Sequence, residues 1–233
     1  MAGGRSVHGI VVAALGAWMT LIGVVVPPAA AQPCPDVEVV FARGTSEPPG
    51  VGGVGQAFVD AVRAQASPRT VGVYAVGYPA SDEFFDRAGF ASTVVHGIRD
   101  EMNRVQYMAA NCPDTKLILG GYSQGAVVSG FATAAEVPAD VDVAAVPQPL
   151  PPEAAERVAA VVLFATPSAE FLRQFGAPAV TVGPLYAPKT LQICDPGDSI
   201  CSGAPGGGFT LAHGLYAFNG SVNEGAAFAV ERL

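Results

Sequence analysis

A single three-layer α/β domain, with helices on both faces of a central parallel sheet of about five strands, is the fold this sequence predicts. Two observations carry it. Short, nearly continuous apolar runs rich in Val, Ile and Leu recur along the chain, and longer segments with helical spacing of their apolar residues lie between them. Strand alternating with helix requires crossover connections, which put the strands parallel and cover both faces of the sheet. A chain of 233 residues suits one such domain.

Residues 37–42, 71–76, 116–119 and 159–164 read as buried strands, and residues 191–194 as a fifth. Helices are expected over 55–66, 91–110, 124–135, 168–175 and 223–232. The Pro-rich stretch 137–152 reads as a surface loop, too short to join two independent domains. No internal repeat is present.

Half of the residues are hydrophobic and only 14% charged, and part of that excess sits at the front. Residues 10–26 form an apolar stretch free of charged residues, Arg5 and His8 precede them, and Ala29-Ala30-Ala31 offers small residues for cleavage. The stretch is long enough to anchor the chain as one membrane helix. Pro27-Pro28 beside the small-residue site instead favours a secretory signal over residues 1–31 and a secreted catalytic domain over 32–233, with no membrane span after cleavage. Pro33 before Cys34 does not fit a lipoprotein anchor.

All 20 acidic side chains lie beyond residue 31, whereas Arg5 leaves with the signal, so the mature charge is one unit more negative than the −8 of the full chain. Such a surface repels phosphate backbones and anionic lipid, and no nucleic-acid partner is expected. Cys34, Cys112, Cys194 and Cys201 would enter an oxidising compartment and form two disulfides, of which three pairings are possible. The cysteine spacing lacks the C-x2-C pair of a zinc site, and no metal or cofactor is expected.

Gly121-Tyr122-Ser123-Gln124-Gly125 is a G-x-S-x-G turn between a strand and a helix, as a nucleophile elbow requires. A side chain at either glycine would collide with neighbouring backbone, so the turn can be tight enough to lift Ser123 clear of the sheet. A serine hydroxyl attacks only when a base takes its proton. His96 sits in a helix among Arg99, Asp100, Glu101 and Arg104, which reads as a solvated face, whereas His213 ends a glycine-rich loop able to aim it into a cleft. His213 is the better base, and activity should then fall as pH drops through about 6 to 7, the ordinary imidazole range.

The carboxylate that fixes the histidine tautomer falls between serine and histidine in hydrolases with this elbow. Asp195 and Asp198 follow the last strand, at the sheet edge where ligands bind. A Cys194–Cys201 bridge would close both into a loop worth about 2.5 kcal/mol by the chain-entropy argument. Asp195 precedes Pro196 and can serve the turn alone. That leaves a slight preference for Asp198.

Phe41-Ala-Arg-Gly-Thr-Ser-Glu47, Gly120-Gly-Tyr-Ser-Gln-Gly125, and Cys194-Asp-Pro-Gly-Asp-Ser-Ile-Cys201 followed by His213 together resemble the cutinase family, especially the secreted cutinase-like esterases of mycobacteria. The resemblance spans nearly all of the mature chain. It implies a compact α/β-hydrolase fold without a large lid, a Ser123, Asp198 and His213 triad, and Cys34–Cys112 and Cys194–Cys201 bridges. It further implies an oxyanion hole at Thr45 and Gln124; fungal members often carry serine where Thr45 stands, and the hydroxyl is kept.

Gly50-Val-Gly52-Gly53-Val-Gly55 also fits a dinucleotide fingerprint, but residues 43–49 separate it from the strand and no acid ends the next strand. Those glycines read instead as a flexible rim beside the oxyanion turn. Phe84, Phe85, Phe209 and Leu211 could present apolar surface to an acyl group. The expected protein is a monomeric serine esterase acting on carboxylic esters of short to medium acyl chain, of lipid or polyester type. Acyl transfer, phospholipase or thioesterase chemistry at the same triad, and a non-catalytic secreted binding domain, are the alternatives.

Overall fold

Five parallel strands in the order β2-β1-β3-β4-β5 form the sheet: β1 Val37–Ala42, β2 Val71–Ala75, β3 Lys116–Tyr122, β4 Val158–Phe164 and β5 Thr190–Ile193. The computed structural model describes Met1, Gly3, Gly4 and residues 34–233 apart from Phe85. The expected signal segment lies outside the described residues save for Met1, Gly3 and Gly4.

The central strands read as continuous apolar runs because both faces are covered. Val40, Leu117, Leu119, Val161 and Leu163 point to the side of α2 (Arg87–Asn111), α3 (Gln124–Ala132) and α4 (Pro152–Arg157). Val39, Phe41, Ile118, Val162 and Phe164 alternate with them toward α1 (Gly52–Ala66) and α6 (Ser221–Val230). Phe58 of α1 meets Phe164 edge-on, with ring centroids 5.4 Å apart, and joins the two strands through Phe41. α5 (Ala169–Gln174) follows β4 and is capped by Ser168, whose Oγ accepts from Phe171 N.

Several expectations need correction. β2 is an edge strand with Val73 exposed, because an apolar run looks the same in sequence whether it has one neighbour or two. α4 lies where only a loop was expected to end; six residues opened by a proline are too few to show a helical period. α3 stops at Ala132, where Thr133 Oγ1 lies 2.9 Å from the Ser129 carbonyl and 3.0 Å from that of Gly130, so its one proton bonds back into the last turn. The glycines at 52 and 53 are not a flexible rim: they open α1, and the Glu47 carboxylate accepts from Gly53 N at 2.7 Å and from Gly44 N at 2.6 Å. A carboxylate therefore already occupies the helix start where a dinucleotide phosphate would sit.

The charged run on α2 is only partly a solvated face. His96 and Arg99 are exposed, but Arg104 pairs with buried Glu38 of β1, and Glu101 is fully buried. Ser129 Oγ lies 2.9 Å from Glu101 Oε2 and 2.9 Å from Gly120 O. One hydroxyl proton cannot serve both acceptors, so a protonated Glu101 completes the chain of bonds from α2 through α3 to β3.

Burial pushes the Glu101 carboxyl up to about 8, with the neighbouring Asp100 charge adding to it. The folded protein thus holds a proton that the unfolded chain gives up near 4.5, so this group's stability is whole at low pH and is lost as pH rises toward about 8. Glu101→Gln, which keeps a donor without the acid, is expected to remove a decline on the order of a few kcal/mol. Thermal unfolding across that window checks it; equal slopes in both proteins would refute the assignment.

Candidate active site

Ser123 stands between β3 and α3 with φ 54° and ψ −115°, a left-handed backbone that a side chain adopts only under constraint. The constraint is visible. A Cβ on Gly121 would lie 2.1 Å from Gly125 O, and one on Gly125 would lie 2.0 Å from Ala42 O. Ser123 N donates to Phe164 O of the adjacent strand, which ties the strained residue to the sheet.

His213 lies in the short 3-10 turn Ala212–Gly214 and is 4% exposed. Its Nε2 is 2.9 Å from Ser123 Oγ and its Nδ1 is 2.8 Å from Asp198 Oδ2. A carboxylate on Nδ1 calls for the proton there, leaving Nε2 as acceptor toward the serine hydroxyl. Tyr122 donates to the His213 carbonyl and its ring lies 5.3 Å from the imidazole, holding the turn.

Asp198 is fully buried. Besides His213, it accepts from Tyr216 Oη at 2.9 Å and from Ile200 N at 3.0 Å. Tyr216 in turn accepts from Asp195 N at 2.8 Å, and burial pushes its phenol well up, so it remains a donor. Asp195 serves the turn: its Oδ1 accepts from Gly197 N and its carbonyl from Asp198 N. Cys194 bonds to Cys201 around this turn, and Cys34 bonds to Cys112.

Thr45 and Gln124 line the same cavity as Ser123. Gln124 N belongs to the first residue of α3 and has no acceptor within the helix. The turn bearing Thr45 is braced by Arg43, which donates through Nε to Glu47 O at 2.8 Å and through Nη2 to Tyr78 O at 2.6 Å. Arg43, Glu47 and Tyr216 were not singled out from sequence, where a charge or a tyrosine in a loop carries no sign of its partner.

The cutinase family model matches residues 33–233. The chain belongs to the cutinase family. It is thereby a carboxylic ester hydrolase. It is 55% identical over 169 residues to "Probable carboxylesterase Culp7" of Mycobacterium tuberculosis, covering 72% of this chain and 88% of that one. It is 42% identical over 205 residues to "Carboxylesterase Culp1" of the same organism, covering 87% and 84%. Among solved structures it resembles the Trichoderma reesei cutinase in complex with a C11Y4 phosphonate inhibitor, at 34% identity and a TM-score of 0.62, covering 85% and 77%.

In this cutinase-family chain the cavity at Ser123 measures about 340 Å³, within the range of small-molecule sites. Of the four residues expected to contact an acyl group, Phe84 lines it, its ring packed at a tilt against those of Phe90 and Phe175 with centroids 4.9 and 5.5 Å away. Phe209 and Leu211 do not; each is 77% exposed, and Phe209 sits edge-on to His213. Phe85 lies outside the described residues. The lining comes instead from α2, α3, α5 and the Pro-rich segment, whose apolar spacing reads in sequence as ordinary core.

Proposed function

We propose that this cutinase-family protein hydrolyses carboxylic esters through an acyl-enzyme on Ser123. Ser123 Oγ attacks the ester carbonyl carbon while its proton passes to His213 Nε2; the carbonyl π electrons move to oxygen. The oxyanion is met by the N–H of Gln124 and by Thr45, in reach of a backbone N–H and a hydroxyl. The intermediate collapses, the C–O bond to the alcohol breaks, and the proton on Nε2 leaves with the alcohol. Water then repeats the sequence on the acyl-enzyme, releasing the acid and restoring Ser123. Asp198 holds the Nδ1 proton and stabilises the imidazolium that forms.

The observation that carries this reading is the unbroken Ser123, His213, Asp198 hydrogen-bond relay, with both links under 3 Å. Fluorophosphonate labelling followed by peptide mapping tests it. A single adduct on Ser123 is expected; no adduct, or one on another residue, would overturn it.

The two disulfides support a secreted protein working in an oxidising compartment after loss of residues 1–31. Among the described residues no helix is long and apolar enough to cross a membrane. We read the catalytic domain as 32–233, acting as a monomer on an uncharged ester, with nucleic acid repelled by its acidic surface.

A further inference from the structure

The cavity at Ser123 is longer than catalysis at one carbonyl requires. Two packed helices make its floor. Gly97 lets them close, since a Cβ there would come within 2.9 Å of Val128 Cγ2. The helices run in the same direction: the Gln124 amide and Thr93 share Ser81 at one end, and Glu101 meets Ser129 further along.

Each helix shows one apolar stripe to the cavity. On α3 it passes from Ser123 through Val127 to Phe131, a rise of about 12 Å away from the hydroxyl, and continues at Ala134. On α2 it passes from Ala91 through Val94 and Ile98 to Met102, a rise of about 16 Å. Leu172 of α5, Phe175 just after that helix, and the prolines at 138, 147 and 149 complete the wall. Proline lacks an N–H, so even the loop side of the cavity offers few donors. Away from Thr45, Ser123 and Gln124, the charged lining is Arg87 and Glu136, both exposed.

We propose that this cavity is a channel for one linear aliphatic acyl chain, so that preferred substrates are fatty-acyl esters with chains of about ten carbons or more, matching the ~12–16 Å stripes. The inference rests on the esterase reading above and deepens it. A polyester would place a repeating ester group along the apolar stripes of α2 and α3, which offer it no partner, and burying such a polar group unpaired is unfavourable. An acetyl group would leave the apolar walls unfilled.

The test is the chain-length profile of kcat/KM over p-nitrophenyl esters from acetate to hexadecanoate. Wild type is expected to favour dodecanoate over acetate by about tenfold or more, which needs only part of the transfer free energy of the added methylenes. Ala134→Trp, which shortens the far end, should lower the dodecanoate-to-butyrate ratio about tenfold. Phe131→Ala, which opens it, should move the optimum to longer chains. Opposite shifts from these two variants cannot come from general loss of folding.

The rival location is the exposed loop carrying Phe209 and Leu211. A profile that collapses in Leu211→Ser and ignores Ala134→Trp and Phe131→Ala would put the chain outside and overturn the proposal. A wild-type profile highest at acetate would do the same. Failure of wild type to cleave any ester would instead strike the esterase reading itself, so the two failures are distinguishable.

Discussion

Ser123→Ala is expected to lower kcat for ester cleavage by about a million-fold and to abolish fluorophosphonate labelling. The reason is geometric. Ser123 Oγ is within hydrogen-bond range of His213 Nε2, and the backbone that presents it is fixed by close backbone contacts at Gly121 and Gly125. Removing Oγ leaves the imidazole facing the substrate with nothing to deprotonate except water. Alanine at φ 54° meets the same backbone constraint as serine, so thermal stability should be nearly unchanged. Turnover with p-nitrophenyl butyrate and intact mass after labelling check the expectation. Activity within a hundredfold of wild type would remove Ser123 from the mechanism.

Asp198→Asn is expected to cost about 10⁴-fold in kcat, or roughly 5 kcal/mol of transition-state stabilisation. The Asp198 carboxylate accepts from three donors: His213 Nδ1, Tyr216 Oη and Ile200 N. An amide has one oxygen and one NH2, and neither orientation fits. With the oxygen toward His213 and Tyr216, the NH2 confronts Ile200 N–H. With the oxygen toward Ile200, the NH2 faces Nδ1, moves the imidazole proton to Nε2 and blocks proton uptake from Ser123. A steady-state measurement at saturating ester would show a fall in kcat larger than any change in KM. A loss smaller than tenfold would mean that Asp198 is a structural anchor of its turn and little more.

Much of the fold was legible because parallel strands covered on both faces need near-continuous apolar runs, and residues 37–42 and 159–164 are such runs. Ser123 was legible because its turn tolerates only glycine at two positions. His213 emerged from the small number of histidines and their settings. Asp198 and Asp195 were harder to separate, since the spacing of a loop acid does not reveal which way it points; the structure turns Asp198 inward to three donors and leaves Asp195 to the turn.

What sequence hid were partnerships at long range. Glu101 looks like one more charge on a polar helix until α3 and β3 close over it. Tyr216 is an aromatic in a loop until its hydroxyl is seen between Asp195 and Asp198. The walls of the cavity at Ser123 have the spacing of ordinary core, because a helix lines a cavity with the same apolar stripe it would pack against another helix.

Ser123, Asp198 and His213 hang from the ends of β3 and β5 and from the turn at 212–214, whereas α2, α5 and the Pro-rich segment shape the wall beside them. This separation leaves two kinds of inheritance in one small domain. Under the proposed mechanism, drift in the wall would redirect which molecules enter, one methylene at a time, while Ser123, Asp198 and His213 keep their geometry. A lineage built on this plan can diversify its diet through its helices and loops without passing through an inert ancestor.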